Sequence, residues 1–526
     1  MGINQFCFSQ TQTYQLAPPS DTIRTIEIIN ATSLRQITIN DSTVLETLAG
    51  NAKVRQGNTI LEGDSIVIDK RLGIVEVFGN VHINDADTVN TYAQYLKYIG
   101  STQIAYLKNK VKLSDGKAQL FTNDLEYNLK TGIAIYKNGG KVINEKTTLT
   151  SKEATYYSDT KDAFFRNNVH LVDPKYNMIT DSLRYNTAFK NVYFISKTNI
   201  KTENGTIDTK SGTYNLQTGE ALFFDKTIIR DSTRYISGNK VAFDEKSNTI
   251  QIEDNGKFVD STNRVIVLGN QILIDKKNNT FLATRKPVMI LYQNNDSTYI
   301  SADTLFSGKR VSEKDTNTII KDTINTPTTI NASQKSADSI KYFIGFHHVR
   351  IYNDSMQAVS DSMHYSTLDS TFKLFKNPIC WNNNTQLTGD TMYLFTENQT
   401  AKRLYVNSNA LVINKTKENL FNQIGGKNLN SYFKEGNIDY IRIKGTPAES
   451  IFYPQDNDSA YIGMNKSKGD VIEVYFINKT LNKVKFVNDV DGTLYPMNQI
   501  PEKSKFLNNF NWQEERRPKS KLELFE

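Results

Sequence analysis

The sequence predicts an all-β protein, an elongated stack of repeats of about 29 residues. The first observation is textural: Thr, Tyr, Phe, Ile and Val recur in short runs separated by Asn, Asp, Gly and Lys, as in short strands joined by turns. The second is that 27 Tyr and 27 Phe among 526 residues are too many for a disordered chain. The third is a long-range periodicity of apolar residues, which sets the repeat length.

Three columns of apolar residues recur every 29 positions without an insertion. One column is aromatic and contains Tyr98, Tyr127, Tyr156, Tyr185, Tyr214 and Phe243. The second contains Leu113, Val142, Leu171, Ile200, Ile229 and Phe258, and the third contains Leu120, Leu149, Met178, Ile207, Ile236 and Val265. Stacked repeats bury such columns as stripes that run from one rung to the next.

Within each repeat, two positions separated by one residue define a strand. The first position holds Ala105, Ala134, Ala163, Val192, Ala221 and Ile250, and the second holds Leu107, Tyr136, Phe165, Phe194, Phe223 and Ile252. A separation of two places both on one face of a strand. Turn residues such as Asn138-Gly139-Gly140 lie between the columns. Each repeat is therefore predicted to hold three or four short strands.

The repeat pattern predicts the domain organisation. Residues 1–22 are interpreted as the remnant of a signal peptide and a disordered N-terminus, with a plain disordered N-terminus as the alternative. Residues 23–306 form the first block of repeats, and the polar segment 307–340 is a linker or long loop. Residues 341–500 form a second, more irregular block, and 501–526 a charged tail.

Composition and residue positions argue against several classes of function. The net charge of +7 is spread along the chain and does not indicate a nucleic-acid partner. Cys7 and Cys380 are isolated, which argues against a disulfide framework and a Cys-based zinc site. The adjacent His347 and His348 are expected to face opposite sides of a strand, so no metal is predicted there. The Asp residues at repeat starts are expected to accept backbone N–H bonds in turns. No catalytic motif and no cofactor site is predicted.

Several short motifs resemble the OstA-like family of lipopolysaccharide transport proteins, which includes a periplasmic bridge protein and the N-terminal domain of the outer-membrane assembly protein. The motifs are Gly63-Asp64-Ser65-Ile66-Val67-Ile68, Gly79-Asn80-Val81-His82-Ile83, Asn123-Asp124-Leu125-Glu126-Tyr127 and Thr180-Asp181-Ser182-Leu183-Arg184-Tyr185. The resemblance is best over residues 45–300. It implies a twisted β-jellyroll that holds lipid acyl chains inside, in a Gram-negative cell.

With the resemblance comes a functional hypothesis: periplasmic, non-catalytic binding and transport of lipopolysaccharide toward the outer membrane. The lipid A acyl chains would lie in an apolar groove. Its candidate lining residues are Leu113, Val142, Leu171, Ile200, Ile229, Phe258, Phe165, Phe194 and Phe223. The candidate partner edge, which would pair with other lipopolysaccharide transport proteins or with a second copy of the chain, holds Thr25, Glu27, Ile28 and Thr38.

Two other interpretations stay open at this point. Coils of similar length can stack as a right-handed parallel β-helix, the fold of some polysaccharide-active enzymes and surface adhesins. An enzyme of that kind needs clustered Asp, Lys or Arg in one column, and the regular block lacks such a column. A surface-layer or fibre protein is the third interpretation.

Overall fold

The computed structural model describes residues 26–40, 43–85, 89–292, 297–311, 339–397, 400–416, 420–456, 458–478 and 480–526. The chain forms two compact units, Met1–Ala188 and Phe189–Glu526. The predicted all-β class is confirmed, because strands make up nearly all of the regular structure and the helical elements of the described segments are four short 3-10 turns. The predicted domain boundaries stay a prediction.

Unit 1 contains the first fourteen strands. They are β1 (Glu27–Asn30), β2 (Ser33–Asn40), β3 (Thr43–Gln56), β4 (Thr59–Asp69), β5 (Ile74–Asp85), β6 (Val89–Ile99), β7 (Ile104–Ser114), β8 (Ala118–Asn128), β9 (Ile133–Tyr136), β10 (Gly140–Asn144), β11 (Thr147–Ser151), β12 (Glu153–Tyr157), β13 (Asp162–Val172) and β14 (Tyr176–Asn186).

Unit 2 begins with strands of the same kind and ends with longer ones. They are β15 (Asn191–Phe194), β16 (Thr198–Thr202), β17 (Gly205–Thr209), β18 (Ser211–Asn215), β19 (Glu220–Arg230), β20 (Arg234–Asp244), β21 (Thr249–Asp260), β22 (Val265–Asp275), β23 (Thr280–Thr284), β24 (Val288–Tyr292), β25 (Ser297–Ser301), β26 (Thr304–Val311), β27 (Ser339–Tyr352), β28 (Gln357–Ser366), β29 (Thr371–Phe375), β30 (Ile379–Asn382), β31 (Thr385–Thr388), β32 (Thr391–Glu397), β33 (Thr400–Lys415), β34 (Phe421–Lys434), β35 (Asn437–Phe452), β36 (Gly463–Ile477), β37 (Thr480–Val487) and β38 (Asp491–Pro496). The 3-10 turns are Met497–Gln499, Glu502–Ser504, Glu514–Arg516 and Lys521–Leu524.

Consecutive strands pair antiparallel, as β13 with β14 and β33 with β34 do. Antiparallel pairing of neighbours needs only short turns, whereas a right-handed parallel β-helix stacks each strand on its counterpart one coil away in the same direction. The β-helix alternative is therefore wrong for this chain.

Several long strands, among them β3, β5, β7, β13, β27 and β33, bend at a two-residue corner with left-handed backbone. In β13 the corner is Asn167-Asn168, with φ of 63° and 57°, and the pairing register with β14 shifts between Arg166 and Val169. Asn tolerates this conformation better than most residues, and two such residues in succession redirect the strand as a β-bulge does. The corner divides a bent strand into two halves, and each half belongs to a different half-sheet.

The two half-sheets face each other across one apolar core, which makes the fold a β-jellyroll. In unit 1 a single buried cluster joins Leu48, Ile66 and Val77, on one side of the corners, to Ala52 and Val81 on the other side. Alternation along β4 and β5 directs one set of side chains into this core and the other set toward solvent.

Two sequence expectations are corrected at the corners. His347 and His348 form a corner themselves, with φ of 56° and 51°, so they do not alternate as strand residues; both side chains are exposed. The carboxylate of Asp64, at a repeat start, accepts hydrogen bonds from the side-chain amide of Asn80 at 3.0 and 3.1 Å instead of from backbone N–H groups. Asp390 accepts from Asn409 in the same way. These carboxylates tie neighbouring corners together.

The C-terminal segment, residues 500–526, adds a third layer to unit 2. It packs Ile500, Leu507, Phe510 and Trp512 against a buried cluster that includes Ile413. This cluster lies on one face of a half-sheet, in a row of paired residues made of Gln357, Trp381, Gln386, Ile413, Gln423 and Ile451.

Buried glutamines of this row, called here the glutamine row, hold the backbone of the segment. Gln423 donates to the carbonyl of Lys505 at 2.9 Å and accepts from the N–H of Leu507 at 2.8 Å. Gln386 likewise donates to the carbonyl of Asn511 at 2.7 Å and accepts from the N–H of Gln513 at 2.8 Å. Each amide therefore replaces the two hydrogen bonds that a neighbouring strand would make.

Candidate functional site

In unit 1 the two predicted apolar columns pair with each other across neighbouring strands. The paired row runs through Leu113, Leu120, Val142, Leu149, Leu171 and Met178. Leu171 is fully buried, whereas Leu113 and Val142 are half-buried. The row forms part of the apolar interior of unit 1, and it is most tightly enclosed at Leu171.

Unit 2 begins with an equivalent row. It runs through Ile200, Ile207, Ile229, Ile236, Phe258 and Val267. The sequence places Val265 in this column, but Val267 lies opposite Phe258. The reason is that β22 begins at 265, 31 residues after β20 begins at 234 and two more than the repeat allows. Ile229 is half-buried and Ile200 is buried.

The column of Phe165, Phe194 and Phe223 is also interior, and each side chain is at most 2% exposed. Phe194 and Phe223 both lie opposite Gly212, and their ring centroids are 6.0 Å apart. A side chain at 212 would occupy this space, since a Cβ built there lies 2.8 Å from the Cα of Phe223. These rings are packed against protein, and their contact with a ligand stays a prediction.

The ends of the half-sheets remote from the corners, where strands join by turns, are called here the mouth. In unit 1 the mouth is lined by Tyr127, Tyr156 and Tyr185. Each large ring lies beside small residues, as Tyr127 lies opposite Ala105 and Ala134. The side-chain amide of Asn144, on one half-sheet, donates to the hydroxyl of Tyr185 on the other, at 3.5 Å.

Burial and nearby carboxylates both disfavour ionisation of these tyrosines. Burial raises the pKa of Tyr127, and the negative charges of Asp85 and Asp159 raise it further. Burial likewise raises the pKa of Tyr156 and of Tyr185, with smaller contributions from neighbouring carboxylates. The hydroxyls of these tyrosines are therefore neutral, and carboxylates lie near them.

The mouth of unit 2 opens into a cavity of about 220 Å³ beside Phe258. Its apolar floor contains three rings in sequence: the centroids of Phe258 and Phe281 are 6.3 Å apart, and those of Phe281 and Phe343 are 6.4 Å apart. Val265 and Ile274, both buried, complete this floor. Of the nine predicted groove residues, Phe258 is the one that borders this cavity.

Four cationic side chains line the same cavity, and they come from separate parts of unit 2. They are Arg234, Lys276, Lys309 and Lys341. Burial lowers the pKa of Lys276, and the positive charge of Arg234 lowers it further, against a weaker opposing effect of Asp231. Within the described residues none of the four forms a salt bridge. Like charges therefore lie together here without a carboxylate held against them.

The two carboxylates that line the cavity are engaged in turns. Asp260 accepts from the backbone and side-chain N–H groups of Asn263 at 3.0 and 2.5 Å. Asp275 accepts from the backbone N–H and the side-chain amide of Asn278 at 2.9 and 2.6 Å. These bonds, the backbone one above all, keep the pKa of Asp275 low.

The cluster of Arg234, Lys276, Lys309 and Lys341 was not predicted from the sequence. The available signal was Lys309 and Lys341, which lie near the two ends of the predicted 307–340 linker.

The N-terminal strands of unit 1 form the candidate partner edge. In the described part of the chain β1 and β2 pair only with β3. Glu27, Ile28 and Thr38 are exposed, and Thr25 lies outside the described residues. Leu34, Ile37 and Ile39 are 58%, 48% and 60% exposed, so both faces of β2 present apolar side chains to solvent.

In the described segments, no group of three or more His, Cys, Asp or Glu side chains could hold a metal ion. None of the helices in those segments has the length and hydrophobicity needed to span a bilayer.

Comparison with protein families gives a match over residues 24–181 to the family described as OstA-like protein. The matched region, residues 24–181, is called here the OstA-like domain. The match covers 158 of the 526 residues, all of them in unit 1. Among curated proteins nothing matches the chain.

Solved structures that match include the crystal structure of LptH, the LptA homologous periplasmic component of the conserved lipopolysaccharide transport device from Pseudomonas aeruginosa. It is 21% identical, with a TM-score of 0.19, and the match covers 22% of this chain and 84% of that chain. The family match ends before unit 2 begins, so it covers no residue of unit 2.

Proposed function

We propose that this chain binds lipopolysaccharide in the periplasm and carries it toward the outer membrane, with which it associates. The observation that carries the proposal is the OstA-like domain at residues 24–181. The apolar core between two half-sheets supports it physically. Each CH₂ group of an acyl chain exposed to water costs about 0.8 kcal/mol, so a lipid carrier must offer an apolar path.

The lining residues of the proposed path are the nine interior positions. They are Leu113, Val142, Leu171, Ile200, Ile229, Phe258, Phe165, Phe194 and Phe223. Leu113, Val142 and Ile229 are half-buried, and Phe258 borders the cavity, so these four positions are the most accessible to an acyl chain. Contact with the fully buried rings requires the half-sheets to separate.

In this proposal every lining residue supplies apolar surface and no residue supplies chemistry. No cofactor and no metal ion takes part. Transport by such a protein depends on shape and hydrophobicity alone, so conservative apolar substitutions in the path should be tolerated better than polar ones.

A photocrosslinker at Phe258 tests lipid binding at the edge of the cavity. Benzoylphenylalanine keeps an aromatic ring at this position, and lipopolysaccharide should be trapped there in cells. The matched control is Phe189, a phenylalanine of the same unit that is 69% exposed. A lipid adduct at 258 but not at 189 supports the proposal. Equal labelling at both sites, or none at either, contradicts it.

We further propose that the N-terminal edge, made of β1 and β2, extends a sheet of another lipopolysaccharide transport protein, or of a second copy of this chain. A strand edge with unpaired backbone groups recruits another strand unless it is protected. Between Ser33 and Asn40 there is no proline, and apolar side chains lie exposed on both faces. Crosslinkers at Thr25, Glu27, Ile28 and Thr38 should therefore trap a protein partner.

Two single proline variants distinguish this pairing from other contacts. In an antiparallel strand, neighbouring N–H groups point to opposite sides, so Ile37 and Thr38 direct one donor toward β3 and one away from it. Of Ile37→Pro and Thr38→Pro, one should lower stability. The other should remove the adduct while the melting temperature stays the same. An adduct that survives both variants excludes pairing along β2.

A further inference from the structure

We propose that the cavity beside Phe258 binds the phosphate group of an acylated lipid, with the start of the acyl chain on the aromatic floor. The inference rests on the proposed function, because it assigns the head-group end of the same lipid to named residues. It goes beyond that function in locating a charged subsite, which neither the family match nor the apolar columns indicate.

The first argument is charge. Arg234, Lys276, Lys309 and Lys341 contribute four positive charges, and Asp260 and Asp275 contribute two negative charges, so the lining has a net formal charge of +2. Both carboxylates are already hydrogen-bonded within their own turns. An anion in the cavity would relieve the repulsion between Arg234 and Lys276, and charged hydrogen bonds are stronger than neutral ones.

The second argument is the supply of hydrogen-bond donors. The hydroxyl-bearing residues Thr262, Thr280 and Ser307 line the cavity in addition to the cations. Thr233 also lines it, but its hydroxyl donates to Asp231 at 3.3 Å. A phosphate group has several acceptor oxygens, and it is satisfied best where cations and hydroxyl donors surround it. An uncharged sugar would leave the cations without a counter-charge.

The third argument is the aromatic floor of the cavity, which would contact an alkyl chain but which a free phosphate ion would not use. Phe258, Phe281 and Phe343 present three aromatic rings below the cations. Phe258 is also opposite Ile236, so the floor continues into the apolar row of unit 2. A ligand that uses both parts carries an anionic group directly attached to an alkyl chain.

Three probes separate the parts of such a ligand: dodecyl phosphate, dodecyl maltoside and inorganic phosphate. Binding of each to the full chain is measured by calorimetry below the micelle-forming concentrations. Dodecyl phosphate should bind at least about tenfold more tightly than the other two, because it alone uses both the cations and the floor. Its affinity should also fall as salt is added.

Variants then test the named residues. Lys276→Gln and Arg234→Gln should each reduce the affinity for dodecyl phosphate by about tenfold, and leave that for dodecyl maltoside unchanged. The matched control is Lys277→Gln, which alters the next residue of the same turn, an exposed lysine that does not line the cavity. Thermal unfolding of all three variants should match that of the unaltered chain.

Each outcome decides one point. If both variants bind dodecyl phosphate like the unaltered chain, the subsite is overturned, whereas lipopolysaccharide crosslinking at 258 would still support the proposed function. Inorganic phosphate that binds as tightly as dodecyl phosphate would make this a free-anion site and overturn the lipid assignment. Failure of both alkyl probes together with failure of crosslinking at 258 would remove the proposed function as well.

Discussion

The two units are built from the same kind of bent strand, but they differ in the residues that line the mouth and in whether a further segment covers the sheet. In unit 1 the mouth is bridged by tyrosine hydroxyls among carboxylates, and Ile179 on the outer side of β14 is 54% exposed. In unit 2 the mouth beside Phe258 is open and cationic, and the C-terminal segment covers the glutamine row. One backbone design therefore supports two differently lined mouths, and the mouth, not the core, is where function can diverge.

The largest expected effect concerns the covered face of unit 2. Ending the chain at Ile500 removes Leu507, Phe510 and Trp512 from their cluster. Unit 2 should lose at least about 4 kcal/mol, since truncation of one buried leucine to alanine costs about 2–5 kcal/mol. Hydrogen exchange should accelerate in β30–β34 and remain unchanged in β4–β7. Equal acceleration in both regions would mean that the C-terminal segment does not specifically stabilise the strands that it covers.

A smaller loss is expected when a single glutamine of the row is changed. Gln386→Leu leaves the carbonyl of Asn511 and the N–H of Gln513 without their partner, and each such buried group costs about 1–3 kcal/mol. We expect a total loss of about 3 kcal/mol by chemical denaturation. The exposed Gln217→Leu in the same unit serves as control and should change stability little. A loss no greater than the control's would show that packing alone holds the segment.

Alkaline pH should distinguish Tyr136 from the phenylalanines at the same repeat position, which are Phe165 in unit 1 and Phe194 and Phe223 in unit 2. Burial raises the pKa of Tyr136 to about 12, although a hydrogen bond with Ser151 opposes the shift. The folded state thus holds the phenolic proton more tightly than the unfolded chain does. This stabilisation is complete below pH 10 and declines as the pH rises to about 12, by about 2 kcal/mol.

The matched change for this prediction is Tyr136→Phe, because Phe165, Phe194 and Phe223 occupy the same repeat position. The difference in free energy of unfolding between pH 9 and pH 12 should shrink by about 2 kcal/mol in the variant. An unchanged difference would place the titrating group elsewhere.

The smallest effect tests the feature that both units share. Asn168→Val and His348→Val each put a β-branched residue into a left-handed corner, at φ of 57° and 51°. Each should cost about 1–2 kcal/mol, whereas glycine at the same positions should cost less. Urea titration of the four single variants provides the comparison. Unequal costs in the two units would mean that the corners are not equivalent.

The sequence predicted the fold class because strand pairing follows directly from periodicity. Leu149 and Leu171 lie in separate predicted columns, and they are opposite each other once neighbouring strands pair antiparallel. A regular repeat fixes the register throughout. The same logic located the interior positions at Phe194 and Phe223, although whether a lipid reaches them stays a prediction.

The cation cluster and the third layer could not be predicted from periodicity. Arg234 and Lys341 are separated by more than one hundred positions, and only the fold brings them to one cavity. The covered face did leave a signal, since Ala410-Leu411-Val412-Ile413 is a run of four apolar residues, and all four are buried. Such a run indicates a strand enclosed on both faces, but it does not identify which segment encloses it.

The glutamine row has a consequence for how the C-terminal segment can change over evolutionary time. Within the C-terminal segment, Gln423 and Gln386 hydrogen-bond to main-chain atoms, the carbonyls of residues 505 and 511 and the N–H groups of residues 507 and 513. Any amino acid with a backbone N–H satisfies the two donor positions, and proline alone lacks it. Between residues 505 and 513, relatives with the same glutamines should therefore diverge widely at positions whose side chains do not enter the cluster. Proline should be absent from positions 507 and 513.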